Sequence, residues 1–152
     1  IQTLNKIARA LEVDTEVFWW NTVEAPSGKK AEYDLVRKNE RRIYHGVYND
    51  KLIYEYVTSS SVYGPQGGET MEGYIAKVSP GGNTNPFAPT SHKSEELVYV
   101  IRGKMLCEIE DTDIEMEQGD SITIKSNMAH RFINNFEDEV EVLMIRSPYK
   151  NV

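Results

Sequence analysis

What most limits the folds open to this chain is a series of short strand-like runs, each closed by a turn, that fills the sequence from about residue 35 onward. In Lys51 to Val57 the side chains of Leu52, Tyr54 and Tyr56 fall on alternate positions, the period of two that puts them on one face of a strand. Gly73 to Val78 is a second apolar stretch, followed by the turn Pro80-Gly81-Gly82. Leu97 to Ile101 is a dense β-branched run ending at Gly103, and after it Met105, Cys107 and Ile109 alternate with Leu106, Glu108 and Glu110. Ser121 to Lys125, His130 to Ile133 and Glu139 to Ile145 complete the series. Asp111-Thr112-Asp113, Gln118-Gly119-Asp120 and Asn134-Asn135 are expected to be turns. Strands this short and this evenly punctuated pack as an antiparallel sandwich or barrel. No Rossmann glycine fingerprint, P-loop or solenoid-length repeat interrupts them.

The first part of the chain has a different period. Leu4, Ile7, Ala8 and Leu11 follow i, i+3, i+4, i+7, one apolar stripe of a helix, with Lys6 and Arg9 off the stripe. Asp14 is placed to cap a second short helix through Val17 and Phe18, with Glu16 in its first turn. Pro26-Ser27-Gly28-Lys29-Lys30 carries no periodicity and reads as a linker. The expected organisation is therefore helical at 1–20, linker at 21–34 and a β domain at 35–152. The chain starts at Ile1, without an initiator methionine and inside a helical pattern, so further helices are expected upstream.

Composition narrows the function classes. The net charge of -7 is unlike that of a free-standing nucleic-acid binder, which presents a basic surface. Lys29, Lys30, Arg37, Lys38, Arg41 and Arg42 form the one basic stretch, and runs of this kind are usually solvated edges. Cys107 is the single cysteine, which excludes an intramolecular disulfide and a four-cysteine metal site and suits a reducing cytoplasm. No apolar run reaches the roughly 20 residues of a membrane span, and no signal-peptide pattern is present. No membrane partner is expected.

Chemistry concentrates around two of the three histidines, His45, His92 and His130. In the segment Ser91 to Gly103, a bend after His92 leading into a strand at Glu96 turns both side chains toward one cavity. Alternation then sends Val98 and Val100 inward with Glu96, and Leu97, Tyr99 and Ile101 outward. His130, Phe132 and Asn134 share a face in the same way. These two segments resemble the two motifs of the cupin superfamily: His92, Glu96 and Gly103 match the first, and Gly119, His130 and Asn134 the second. Thr90 stands where metal-binding cupins usually have their first histidine, and Lys125 and Asn127 replace the usual proline and glycine of the second bend. The resemblance spans about residues 75–147 and implies a double-stranded β-helix, or jelly-roll, barrel.

The resemblance also implies a site. His92, Glu96 and His130 are two imidazoles and a carboxylate, a set suited to one divalent metal, with Fe, Mn, Ni or Zn as candidates. The alternative is a metal-free pocket in which these side chains bind an organic ligand directly. Asn134, Tyr54 and Tyr56 are further candidate ligand-binding residues, the tyrosines being equally suited to a core or rim position.

Residues Thr3 to Phe18 resemble the closing helices of the helix-turn-helix domain in Xre-type, lambda-repressor-like regulators, with Glu12 where glycine or asparagine often ends the helix. Ahead of a linker and a cupin, they reproduce the domain order of Xre–cupin regulators. That likeness implies a mainly β chain with a helical remnant and a homodimer in the cytoplasm. Its barrel would bind a small-molecule effector, and DNA would be read by helices upstream; no DNA-reading residue is expected within the chain. A different class is implied by the mononuclear-iron epoxidases of the same architecture, the hydroxypropylphosphonate epoxidases. Their iron is held by a histidine, a glutamate four residues later and a distant histidine, the pattern of His92, Glu96 and His130. Under that likeness the chain is an enzyme.

Overall fold

The computed structural model describes residues 35–46, 49–58 and 71–147. The expected helices of 1–20 and the linker of 21–34 lie outside the described residues. Within them, a 3-10 turn at Lys38–Glu40 leads into nine strands. These are β1 (Ile43–Gly46), β2 (Asn49–Tyr56), β3 (Glu72–Val78), β4 (Glu96–Arg102), β5 (Lys104–Ile109), β6 (Thr112–Glu117), β7 (Ser121–Ile124), β8 (His130–Ile133) and β9 (Val140–Arg146). They form two antiparallel sheets, ordered β1-β2-β3-β9-β4-β7 and β6-β5-β8. The described part of the protein is mainly β, as the alternation required.

Each strand gives one face to the space between the sheets. On β4, Val98 and Val100 are buried while Leu97 and Tyr99 are exposed, so the expected alternation is observed. Ala76, Val78, Val140, Val142 and Met144 fill the large-sheet side of the core, and Met105, Cys107, Met116 and Phe132 the small-sheet side. Leu52 and Tyr56 are buried on β2, with Tyr54 half-buried beside them. The apolar surface removed from water here is the main stabilising contribution.

Two elements differ from the expectations. Asp111-Thr112-Asp113 is not a turn: the turn is Glu110-Asp111, and Thr112 already begins β6. Only Ile114 and Met116 face inward on that strand, and its acidic outer side chains dilute the period-two signal. β1 was not foreseen as a separate strand. It pairs with β2 through Tyr44 opposite Tyr54, and the register shifts between His45 and Gly46.

Connections between strands matter because they carry the site. Between β3 and β4 the chain runs irregularly along β8, held by Thr84 N to Phe132 O, Gly81 N to Asn134 O and paired bonds between Thr90 and His130. Gly103, between β4 and β5, has φ +87, and a Cβ there would lie 2.8 Å from the carbonyl oxygen of Glu139. Only glycine meets both conditions without strain. Arg41 and Lys77 flank Glu55 on the outer face, and Arg42 stacks on Tyr56, so these described basic residues are engaged within the protein.

Candidate metal centre

Glu96 opens β4 with its side chain inward and only 1% exposed, and His130 opens β8 on the opposite sheet. His92 comes from the bend before β4. A main-chain bond from Asn127 N to His92 O, 2.8 Å long, ties the bend carrying His92 to the one leading into His130. Asn127 has φ +65, the left-handed conformation that a glycine would adopt freely. Asparagine also tolerates it, which accounts for the residue found in place of the usual glycine.

The ring orientations follow from simple hydrogen-bond accounting. Nδ1 of His92 lies 2.9 Å from the carbonyl oxygen of Ser94, and Nδ1 of His130 lies 2.8 Å from that of Met128. A carbonyl only accepts, so each Nδ1 carries the proton. In the neutral ring each Nε2 is then a lone pair, and both point at the same carboxylate oxygen. Nε2 of His92 is 2.9 Å and Nε2 of His130 3.1 Å from Oε2 of Glu96. Acceptors do not attract one another at that distance. A proton or a cation between them is needed to hold the arrangement together.

The donor set fits a divalent metal ion. One ligand atom from each of His92, Glu96 and His130 lies within 4.8 Å of the other two. Donors about 2.1 Å from an ion, on neighbouring octahedral positions, stand ~3.0 Å apart, close to the two nitrogen–oxygen separations found here. Ligating histidines also characteristically donate the other ring N–H to a backbone carbonyl or carboxylate, which fixes tautomer and aim. Both rings meet that condition. Thr90 is exposed and pairs its main chain with His130; among the histidine, cysteine and acidic side chains of the described residues, these three are the ones that converge.

Charge around the cluster is unevenly spread. Burial alone would raise the Glu96 carboxyl, but the Arg146 charge and the hydrogen bonds to His130 and His92 outweigh it, holding it well below the usual carboxylate range. Glu96 is therefore an anion across the physiological range. Tyr74 places its hydroxyl 3.4 Å from Oε1 of Glu96, and burial, with Glu96, Tyr54 and Glu72 adding to it, pushes that phenol well up. It stays a neutral donor. Burial, then Glu96 and Glu108, raise the Cys107 thiol to about 12, so it is a poor ligand in the form present.

The remaining candidate residues have other positions. Asn134 is fully buried; its amide nitrogen donates to the carbonyls of Val78 and Asp138 and its oxygen accepts from Phe136 N. Its polar atoms hold the turn after β8, and none joins the three donors. Tyr56 packs against Tyr44 and Tyr74 with the Arg42 guanidinium 4.9 Å over its ring. Tyr54 meets Tyr74 edge-on at 5.0 Å. These tyrosines form an aromatic cluster that Tyr74 links to Glu96. His45 is exposed on β1, away from it. Tyr74 and Arg146 were not singled out from sequence, because their place beside Glu96 depends on strand register. A hollow of about 230 Å³ is bounded by Met71, Glu95, Glu96, Leu97, Thr123, Ile145 and Ser147, of which Leu97 and Thr123 are exposed on the outer face of the large sheet.

Comparison with known proteins agrees with this architecture. Residues 74–146 match the Cupin domain family, Cupin_2. No curated protein sequence matches the chain. Among solved structures, an RmlC-like cupin from Shewanella frigidimarina superposes with a TM-score of 0.60 at 12% identity, covering 77% of this chain and 92% of its own. KdgF from Halomonas sp. gives 0.60 at 15% identity, covering 77% and 96%. The Cupin_2 domain of an XRE family transcriptional regulator from Enterobacter cloacae gives 0.55 at 12% identity, covering 66% and 99%. At these identities the likeness is one of fold.

Proposed function

With residues 74–146 forming a cupin domain, we propose that the chain is the sensing part of an Xre-like transcription regulator. In this reading a small-molecule effector binds at a divalent metal held by His92, Glu96 and His130. The single observation that carries it is the meeting of two imidazole nitrogens and one carboxylate oxygen at one buried point, supplied by two separate motifs. A metal there supplies Lewis acidity and open coordination positions for an oxygen or nitrogen donor of the effector. The protein's own residues do the rest: backbone carbonyls aim the imidazoles, and Phe132, edge-on to His130 at 5.9 Å, walls the site with apolar surface.

The regulatory half of the reading is supported by the amphipathic pattern of residues 1–20 ahead of the cupin and by the structural likeness to a cupin domain from an XRE regulator. In this reading DNA is read by a helix-turn-helix domain, in the cytoplasm, by a homodimer whose barrels bring two reading heads together. Effector binding then favours one arrangement of the heads over another. Among the described residues no helix is long and apolar enough to cross a membrane.

The test uses the full-length protein with DNA selected by it from a random pool. Affinity is measured by fluorescence anisotropy after chelation and after adding back Mn²⁺ or Fe²⁺, with His92→Ala beside the wild type. A change of at least about 5-fold that the variant lacks is the expected result. Equal affinity in every condition contradicts the reading.

The same donors support a second reading, a mononuclear iron enzyme. Two imidazoles and one carboxylate are the facial set of non-haem iron oxygenases. Oxygen uptake by the Fe²⁺-loaded protein, dependent on an added small molecule, favours this reading over the regulator.

A further inference from the structure

Glu96 has neighbours that the donor geometry alone does not require. The pairing of β3, β9 and β4 sets Glu72, Arg146 and Glu96 side by side in one row, with Tyr74, Met144 and Val98 in the next inward-facing row. Tyr74 reaches back from its row, so that its hydroxyl approaches Oε1 of Glu96 at 3.4 Å, whereas both imidazoles converge on Oε2. The two oxygens of one carboxylate therefore face different chemistry. Arg146 connects the two sides: its Nε is 3.6 Å from Oε2, and its guanidinium lies 5.5 Å over the Tyr74 ring. The ring, the guanidinium and the carboxylate are all held in the wall of the barrel, with Tyr74 only 3% exposed.

We propose that Tyr74 and Arg146 are a positioning pair that makes Glu96 a one-oxygen ligand, Tyr74 occupying Oε1 and Arg146 fixing the Tyr74 ring and the carboxylate plane. The inference rests on the metal reading above. Its consequence is a matter of coordination number. A carboxylate that chelates through both oxygens fills two positions on an octahedral ion; one that binds through Oε2 alone fills one. With His92 and His130 this leaves three positions, one more than chelation would allow, for water and an incoming ligand. Neither residue touches the ion. Both act through Glu96, as outer-shell groups do when they set ligand aim and basicity.

The test is titration of the full chain with Co²⁺, followed by visible absorption, for wild type, Tyr74→Phe and Arg146→Lys, with thermal melting of each metal-free protein. Tyr74→Phe keeps the ring and removes only the hydroxyl; Arg146→Lys keeps the charge and removes the guanidinium over the Tyr74 ring. Both are expected to bind Co²⁺ about 10–100-fold more weakly and to shift its ligand-field bands as Oε1 joins the ion. A role in packing alone moves the melting temperature and leaves affinity and bands as in wild type, which overturns the proposal. A wild type that takes up no Co²⁺ overturns the metal reading and this one together. A wild type that binds while both variants match it overturns only the positioning role.

Discussion

Along β3, β9 and β4 the inward side chains change character over four rows of the same sheet. Val78 opposite Val140, and then Ala76, Val142 and Val100, form rows without a polar side chain. Tyr74, Met144 and Val98 follow, with one hydroxyl among them, and the last row is Glu72, Arg146 and Glu96. All three strands turn these positions inward by the same alternation, Arg146 being half-buried and the others buried. The apolar rows gain stability from the surface they remove from water, whereas burying two carboxylates and a guanidinium costs desolvation that their mutual attraction only partly offsets. A fold selected for stability alone would have continued the valines. The polar row, with His92 and His130 beside it, sets this end of the barrel apart as the candidate site.

The sharpest way to separate the two ends is to damage the apolar one. Met105→Ala, at a position 1% exposed, is expected to lose about 2–5 kcal/mol of stability by urea denaturation. The folded variant should still bind metal with unchanged stoichiometry. A loss of binding without a loss of stability would dissolve the distinction.

At the polar end, Glu96→Gln keeps size and shape and removes the charge. Metal affinity should fall by more than about 100-fold, beyond the range of outer-shell changes, as read by competition with a fluorescent chelator. The same variant tests the electrostatics without metal. The folded Glu96 carboxyl is depressed, so the stability it contributes is present above the ordinary glutamate range and is lost as pH falls through its folded value. The gap in denaturation midpoint between metal-free wild type and Glu96→Gln should be widest near neutrality and narrow below roughly pH 4.3. A gap that widens on acidification would reverse the assigned sign.

Asn134 lies in the second motif yet behaves as part of the scaffold. Asn134→Ala leaves the buried carbonyl of Val78 and the part-buried carbonyl of Asp138 without this donor and is expected to cost about 1–3 kcal/mol while metal binding persists. Binding lost in proportion to Glu96→Gln would move this residue into the site. The smallest effect belongs to the solvent-facing pair of Arg102 with Glu139, a 3.2 Å contact between exposed side chains. Arg102→Ala should change stability by no more than about 1 kcal/mol and vanish into the noise at high salt.

The sequence carried the alternation of β4 and β8, and with it the inward aim of Glu96, Val98, His130 and Phe132, because period two survives wherever one face is buried. It carried the meeting of His92 with Glu96 through the bend, and the pairing of that bend with the one before His130 through likeness to two motifs. It did not carry Tyr74 or Arg146. Their nearness to Glu96 is a product of cross-strand register between segments far apart in the chain, and no local pattern encodes it. β6 was hidden for a different reason: with Asp113, Glu115 and Glu117 outward, its sequence looks like an acidic loop until β5 is in place to pair with it. Tyr54 and Tyr56 stood out as candidates because tyrosine serves cores and pockets alike, and only ring-to-ring packing shows what each one touches.

Whether the polar end of the barrel is a metal centre is decided by metal analysis of the purified full chain by inductively coupled plasma mass spectrometry. The protein would be produced with Fe, Mn, Ni and Zn all supplied, and His92→Ala and His130→Ala prepared in parallel. Close to one divalent ion per wild-type chain is expected, and a small fraction of that in either variant, all three having the same circular dichroism. Folded wild-type protein that carries no more metal than the two variants would contradict the metal reading.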